Sequence, residues 1–459
     1  MAERFEIVQK ALVKMLEDKK YATLRDILIT MNPIDIAGIF EDLEDKQIPI
    51  LFRLLTKEQA AETFVEMEPD AQELLIRGFS DNELKEVLDE LYVDDAADLV
   101  EEMPANVVKR ILKAADPEMR SSINQILRYP EYSAGSIMTT EYVSLRPNMT
   151  VEEAILRIRR QGVDKETIYT CYVIAKDRQL LGIVTVKDLL LADDDEMTIE
   201  ELMLTNLIFV TTHTDQEEVA RIFSKYDFLA LPVVDMENRM VGIVTVDAAI
   251  DVMEEEATED IELMGGMLPS EDTYLRSSVW ELFKNRIPWL LFLMLSATFT
   301  GMIINSFEDA LAAQVALPAF IPMLMGTGGN SGSQSSVTII RALSLDEVKF
   351  ADLPRVVWKE IRTAVLCGLA LAIVCFGKIW LVDKLLMGNE NITLMVDAVV
   401  CLAMFFTVLV AKTIGAVLPM VAKVLKLDPA VMASPFITSI VDALSLLVYF
   451  LFATMLLGV

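Results

Sequence analysis

Histidine is almost absent from this 459-residue chain, cysteine is scarce, and no long apolar run occurs before residue 286. The one histidine, His213, lies far from the apolar C-terminal part, so no Ser/His/Asp set can form there, and no Walker lysine exists anywhere. These absences argue against an enzyme built on a nucleophile, a base or a phosphate loop. The four cysteines (Cys171, Cys367, Cys375, Cys401) lack metal-ligand spacing and three fall in apolar runs, so they read as packing residues rather than a disulfide framework. The first 25 residues hold no uninterrupted apolar core, and no cleavable signal peptide is expected. Positive charge is scarce on one side only. Residues 286–459 hold 11 acidic and 11 basic residues, which leaves 59 acids and 29 bases before them, so the whole net charge of −30 lies in residues 1–285. Such a surface repels nucleic acid and accumulates divalent cations, which makes cations the expected partners and nucleic acid not one.

Residues 1–130 carry helix-period apolar patterns broken at Met-Asn-Pro-Ile-Asp (31–35), Glu-Pro-Asp (68–70), Met-Pro-Ala (103–105) and Asp-Pro-Glu (116–118). Proline suits the first helical turn and an acid suits the helix N-terminus, so these mark repeated helix starts. A superhelical stack of short helices is expected, with an ordinary bundle as the alternative. Next, Gly182-Ile-Val-Thr-Val186 returns 60 residues later as Gly242-Ile-Val-Thr-Val246. Each copy follows a β-branched run (Cys171–Ile174; Leu231–Val234), and each has a helix opening upstream, at Thr150-Val-Glu-Glu or Thr214-Asp-Gln-Glu. Two β-α-β-β-α units are predicted, a pattern that resembles the CBS domain pair. A strongly acidic helix, Asp247 to about Met264, follows and ends at Gly265-Gly266 and Pro269.

Five apolar segments, roughly 286–306, 313–336, 358–382, 394–419 and 432–458, are long enough to span a core of about 30 Å at about 1.5 Å per residue. Arg341, Lys349, Arg355, Lys359 and Arg362 fill the second connection and Lys423 and Lys426 the fourth, whereas the first holds only Glu308 and Asp309. By the positive-inside rule the N-terminus is cytoplasmic and the C-terminus external. The expected division is an acidic helical domain at 1–134, CBS units at 135–200 and 201–246, a connecting helix and linker at 247–284, and a membrane domain at 285–459.

Asp442 falls about ten residues into the last segment, near the midplane, where an ionisable group is by default functional. Ser434, Thr438, Asp442 and Ser445 recur at helical spacing, which predicts a polar stripe along a path. Asp397, nearer the outer end of the fourth segment, is expected to reach interfacial water. Gly-Thr-Gly-Gly-Asn-Ser-Gly-Ser-Gln (326–334), with Asn330 at its centre, permits either local unwinding that turns carbonyls to an ion or a small-residue packing face. One midplane carboxylate is few for a divalent ion, but a two-fold dimer would bring two Asp442 side chains together around a hydrated Mg2+.

At this point the chain resembles the MgtE family of Mg2+ channels. The motifs are 326–334 above, Asp-Pro-Ala (428–430), Ser-Pro-Phe-Ile-Thr-Ser-Ile-Val-Asp (434–442) and Glu-Glu-Ala-Thr-Glu-Asp-Ile (255–261), in that order over essentially the whole chain. The resemblance implies a homodimer in the cell (inner) membrane, passive Mg2+ conduction past Asp442, and closure when cytosolic Mg2+ is high. Sensing is then expected at Asp251, Glu256, Glu259 and Asp260 of the connecting (plug) helix, Asp94 and Asp95 of the helical domain and Asp227 of the second CBS unit. Some members carry Asn where this chain has Ser434, and an acid where it has Ala248. CBS units often bind adenosine nucleotides through Gly-x-x-Thr-x-x-Asp, which the first repeat keeps as Thr185 and Asp188, so one modulating ATP per chain is expected. A carrier or exchanger for Mn2+ or Co2+ is the alternative, since carboxylate suits those ions too. A non-conducting sensor would need only one anchoring span.

Overall fold

Proline and acidic caps fall where helices begin in the computed structural model, which describes residues 2–41, 43–270, 274, 277–388 and 392–458. Short helices succeed one another: α1 (Ala2–Glu17), α2 (Tyr21–Leu28), α3 (Pro33–Glu41), α4 (Ile48–Phe52), α5 (Lys57–Val65), α6 (Pro69–Gly78), α7 (Asp81–Leu88), α8 (Val93–Glu102), α9 (Ala105–Ala114) and α10 (Pro117–Ile126). Asp116 opens α10 by accepting from the Glu118 and Met119 N–H groups, both at 2.8 Å, which satisfies donors that no helical carbonyl can reach. Each helix is too short to hold itself together, so it depends on the stripe it buries. Those stripes merge into one core that includes Leu12, Phe40, Phe52, Phe64, Phe79 and Ile123. Helix α3 packs on α5, α5 on α7 and α7 on α9, the successive pattern of a superhelical stack rather than of a closed bundle.

The repeat forms two like units. In the first, β1 (Tyr142–Leu145), α11 (Val151–Gln161), β2 (Thr167–Ile174), β3 (Leu180–Thr185) and α12 (Val186–Leu190) are followed by a short α13 (Ile199–Leu202). In the second, β4 (Val210–Thr211), α14 (Gln216–Tyr226), β5 (Ala230–Val234) and β6 (Met240–Thr245) lead into α15 (Val246–Met264). Both sheets pair their first two strands parallel and their last two antiparallel, and Val173 opposite Gly182 recurs as Val233 opposite Gly242. Thr150 caps α11 in a reciprocal box with Glu153. In the second copy the cap is Asp215, one residue later than expected, because the Thr214 hydroxyl is taken up by Thr211.

By internal packing the chain divides into two units, Met1–Met253 and Glu254–Val459. The second contains α16 (Val279–Ser306), α17 (Glu308–Ala313), α18 (Ile321–Ser344), α19 (Leu353–Lys378) prolonged by a π-helical stretch Ile379–Leu386, α20 (Leu394–Val424) and α21 (Ser434–Leu457). Among the described residues four of these regions, around α16, α19, α20 and α21, are long and apolar enough to cross a membrane. Helix α18 has the length but not the apolarity, because its interior is the glycine- and serine-rich run. It also starts eight residues later than the 313–336 expected, since Glu308–Ala313 folds as a separate helix and Leu317–Phe320 as a 3-10 turn. The unit remains a bundle: α18 packs on both α20 and α21, and α19 on α20. Its apolar core gathers Phe320, Leu324, Val396, Val400, Leu446 and Phe450, with the buried Tyr449 hydroxyl donating to the Leu317 carbonyl at 3.0 Å.

Candidate functional site

Glycine decides what lies behind Asp442. Helix α18 is continuous through Gly326–Gln334, so the local unwinding allowed by the sequence does not occur and the run is a packing face. A Cβ on Gly329 would stand 2.9 Å from Thr438 Cγ2 and 3.8 Å from Asp442 Oδ1, and one on Gly328 would stand 2.6 Å from Ser445 Oγ. Bare backbone of α18 thus lies directly against the α21 face that carries Thr438, Asp442 and Ser445, as small residues at helix contacts permit.

The expected polar stripe on α21 is only partly a stripe. Ser445 is buried and donates to the Val441 carbonyl at 2.6 Å, inside the α18 contact, and Thr438 donates to the Pro435 carbonyl at 2.9 Å. Both hydroxyls serve their own helix. The side chain of Ser434 lies outside the described residues. Asp442 is half-buried and has no ion-pair or hydrogen-bond partner among the described residues. Asn330 is exposed on α18, on a polar face with Gln334, Thr338 and Arg341.

Two further charges inside the bundle have partners. Asp397 is 1% exposed and ion-paired through Oδ2 to Lys384 Nζ at 2.8 Å, which corrects the expectation that it reaches interfacial water. The π-helical stretch that follows α19 carries Lys384 to it. Lys412, which the sequence reading passed over, is 5% exposed in α20 and donates to Ser335 Oγ at 3.4 Å, while Ser335 donates to Glu360 Oε2 at 2.7 Å. Its signal was visible as a lone lysine in the middle of an apolar 31-residue helix.

In the first unit, α8 brings Asp94 and Asp95 beside Glu141 and Glu166. The last two precede β1 and β2, and because those strands pair in parallel the acids sit side by side, with the Glu166 N–H donating to the Glu141 carbonyl at 3.1 Å. Neither was singled out from the sequence, although a parallel pairing of the two strands would have exposed them. Burial pushes the Asp94 carboxyl up to about 7, with Asp95 adding repulsion. Burial likewise lifts Asp95 to about 6, against a stabilising backbone hydrogen bond at Tyr92, and Glu166 to about 8, where Asp94 and Asp247 add repulsion. Asp94 Oδ1 and Glu166 Oε2 are buried without a hydrogen-bond partner. A cleft of about 260 Å3 in the helical domain is lined by Glu66, Asp95, Asp98 and Glu102. Among the described residues no three acidic, cysteine or histidine side chains are placed to share one ion. Asp227 stands apart, exposed, as the left-handed residue that ends α14.

Asp251, Glu256, Glu259 and Asp260 all lie on α15, with Asp251 exposed and the others partly buried. Within the second unit the end of that helix, Leu263 and Met264, packs against Ile340 of α18 and Ala430 and Ala433 at the approach to α21. Gly266, at φ +70°, closes it against the Trp289 ring, where no Cβ would fit. Thr185 and Asp188 hold each other in a capping box, hydroxyl to carboxylate at 2.5 Å, beside a cavity of about 490 Å3 lined by Tyr169, Thr185, Lys187, Leu190, Leu191 and Leu229.

The fold defined by these elements is that of a multi-pass membrane protein carrying a helical domain and a CBS pair. Residues 321–452 match the MgtE family, described as divalent cation transporter, residues 31–132 match the MgtE intracellular N domain, and 134–195 and 199–255 match CBS domains. The magnesium transporter MgtE of Thermus thermophilus is 37% identical over 97% of this chain and 98% of its own, and that of Bacillus subtilis 33% identical over 98% and 97%. The solved cytosolic domain of the Mg2+ channel MgtE in complex with ATP superposes with a TM-score of 0.51 at 38% identity, covering 53% of this chain and 99% of its own. The chain belongs to the MgtE family of magnesium transporters.

Proposed function

We propose that this chain is a passive Mg2+ channel that moves the ion down its electrochemical gradient across the cell (inner) membrane and closes when Mg2+ binds its acidic cytosolic surfaces. The observation that carries the reading is Asp442, a half-buried carboxylate in the last span with bare backbone behind it and no partner among the described residues. The names of the relatives supply the ion. Mg2+ keeps several of its waters, so two such carboxylates meeting across a homodimer axis suffice to hold it. The exposed polar face of α18 with Asn330, and a helix α16 without one buried residue, support a second copy and lipid as the coverings of this bundle. In the proposed path Asp442 contacts the ion and Thr438, Ser434 and Asn330 flank it. The basic residues between the second and third spans, and between the fourth and fifth, favour a cytoplasmic N-terminus and an external C-terminus. The proposed domain limits are those read from the sequence.

For regulation, the orphaned oxygens of Asp94 and Glu166 favour a bound cation, because acids crowded and buried together are relieved by one. Asp95 belongs to the same set, with Asp251, Glu256, Glu259 and Asp260 of α15 and Asp227 as further sensing positions. A displacement of α15 would act on α18 and on the approach to α21, where its end packs. The cavity beside Thr185 and Asp188, with Lys187 at its rim, suits an adenosine nucleotide as modulator, and the ATP complex of the related cytosolic domain supports that reading. No catalytic step is part of it. Currents recorded from inside-out patches with Mg2+ as the sole permeant cation test the whole. Discrete openings that cease as cytoplasmic Mg2+ rises are expected, and vesicle uptake without unitary currents would replace the channel by a carrier.

A further inference from the structure

We infer that Lys412, Ser335 and Glu360 form a positioning relay that holds α18 in register behind the ion path, an inference that rests on the reading of Asp442. Gly326, Gly328, Gly329 and Gly332 leave α18 without the side-chain knobs that normally fix one helix against another. Such a helix approaches its neighbours closely, as Gly415 does against the Gly332 carbonyl, but smooth backbone resists sliding and rotation poorly. Polar anchors take that role here. Ser336 Oγ donates to the Met432 carbonyl at 2.9 Å. Ser335, one residue earlier, donates to Glu360 of α19 at 2.7 Å and accepts from Lys412 of α20 at 3.4 Å, so a single hydroxyl ties three helices.

The chemistry at that point is unusual for a merely structural tie. Lys412 lies seven residues, about 10 Å of helix, inside the apolar segment 394–419 and is 5% exposed, so its charge is costly there without a partner. Glu360 supplies the balancing charge through the shared hydroxyl. Ser335 is six residues, about 9 Å of helix, from Gly329, whose backbone faces Asp442. Rotation of α18 at Ser335 would therefore change the spacing at Asp442. Loss of the Lys412 charge would also leave Glu360 as a second, uncompensated carboxylate competing for cations.

The test uses the full-length chain in liposomes, with ion uptake normalised to folded protein. Lys412→Met is expected to lower Mg2+ uptake at least tenfold, raise the apparent KM and shift the preference for Mg2+ over Ca2+. Adding Glu360→Gln restores charge balance and should recover most of the preference. Ser335→Ala, which removes one hydroxyl and should fold normally, is expected to shift KM and preference in the same direction by severalfold. Wild-type rate, KM and preference in Ser335→Ala would overturn the relay even if Lys412→Met fails to fold, and so would independent, multiplicative effects of the Lys412 and Glu360 substitutions. Unchanged transport by Asp442→Asn would instead remove the path reading, while coupling between Lys412 and Glu360 in thermal unfolding would still report on the relay itself.

Discussion

The α8–CBS region and the membrane spans treat carboxylates in opposite ways. Around α8 and the first CBS strands, Asp94, Asp95, Glu141 and Glu166 crowd together, and burial and mutual repulsion lift the proton affinities of Asp94, Asp95 and Glu166. Within the membrane spans the acids are dispersed, and two of them are matched: Asp397 with Lys384, and Glu360 with Lys412 through Ser335. Asp442, in the last span, has no such partner among the described residues. Crowded acids respond to cation concentration, because a bound ion removes several repulsions at once, whereas a lone acid in a neutralised bundle offers a passing ion one contact and lets it go. On the proposed reading, sensing falls to the crowded acids of α8, the CBS strands and α15, and passage to Asp442.

The largest break in that contrast is at Asp442. Asp442→Asn should reduce Mg2+ flux at least 100-fold while leaving the thermal unfolding of the membrane unit nearly unchanged, since no partner is stranded. Lys384→Met should do the reverse: it leaves Asp397 buried and unpaired, at a cost of about 3–5 kcal/mol, which differential scanning calorimetry would register as early unfolding. Next is the pH response of the acidic unit in chelator. Carboxyls whose affinities are raised in the folded state bind more protons there than when unfolded, so stability falls as pH climbs from about 4 to about 8 and levels off beyond. A drop of about 5 °C in the first thermal transition between pH 5.5 and pH 8.5 is expected, with millimolar Mg2+ cancelling most of it. The smallest effect is Glu166→Gln. It relieves repulsion on Asp94 and should raise that transition by about 2 °C, while flattening its dependence on Mg2+.

Much of this arrangement was readable in advance, and the exceptions share a cause. Proline and acid marks at 33, 69, 104 and 117 located helix starts because they act on the chain locally. The 60-residue repeat gave both sheets because strand, turn and strand are contiguous. Asp442 stood out as a lone acid about ten residues into an apolar segment. What escaped notice was non-local. Glu141 and Glu166 become neighbours only through a strand pairing, Lys384 reaches Asp397 only through a π-helical stretch, and Lys412 finds its balance on two other helices. The limits of α18 shifted for a related reason: its stability comes from close backbone contact with α20 and α21, which apolar content does not report.

The central claim is that passage depends on the unpartnered carboxylate and not on the paired ones. It is tested most directly by measuring Mg2+ flux into liposomes for Asp442→Asn and for the double variant Lys384→Met with Asp397→Leu, each normalised to folded protein. The account predicts flux lost in the first and retained within about threefold in the second, because that double change removes a buried pair without stranding either charge. Flux retained by Asp442→Asn and lost by the double variant would contradict it.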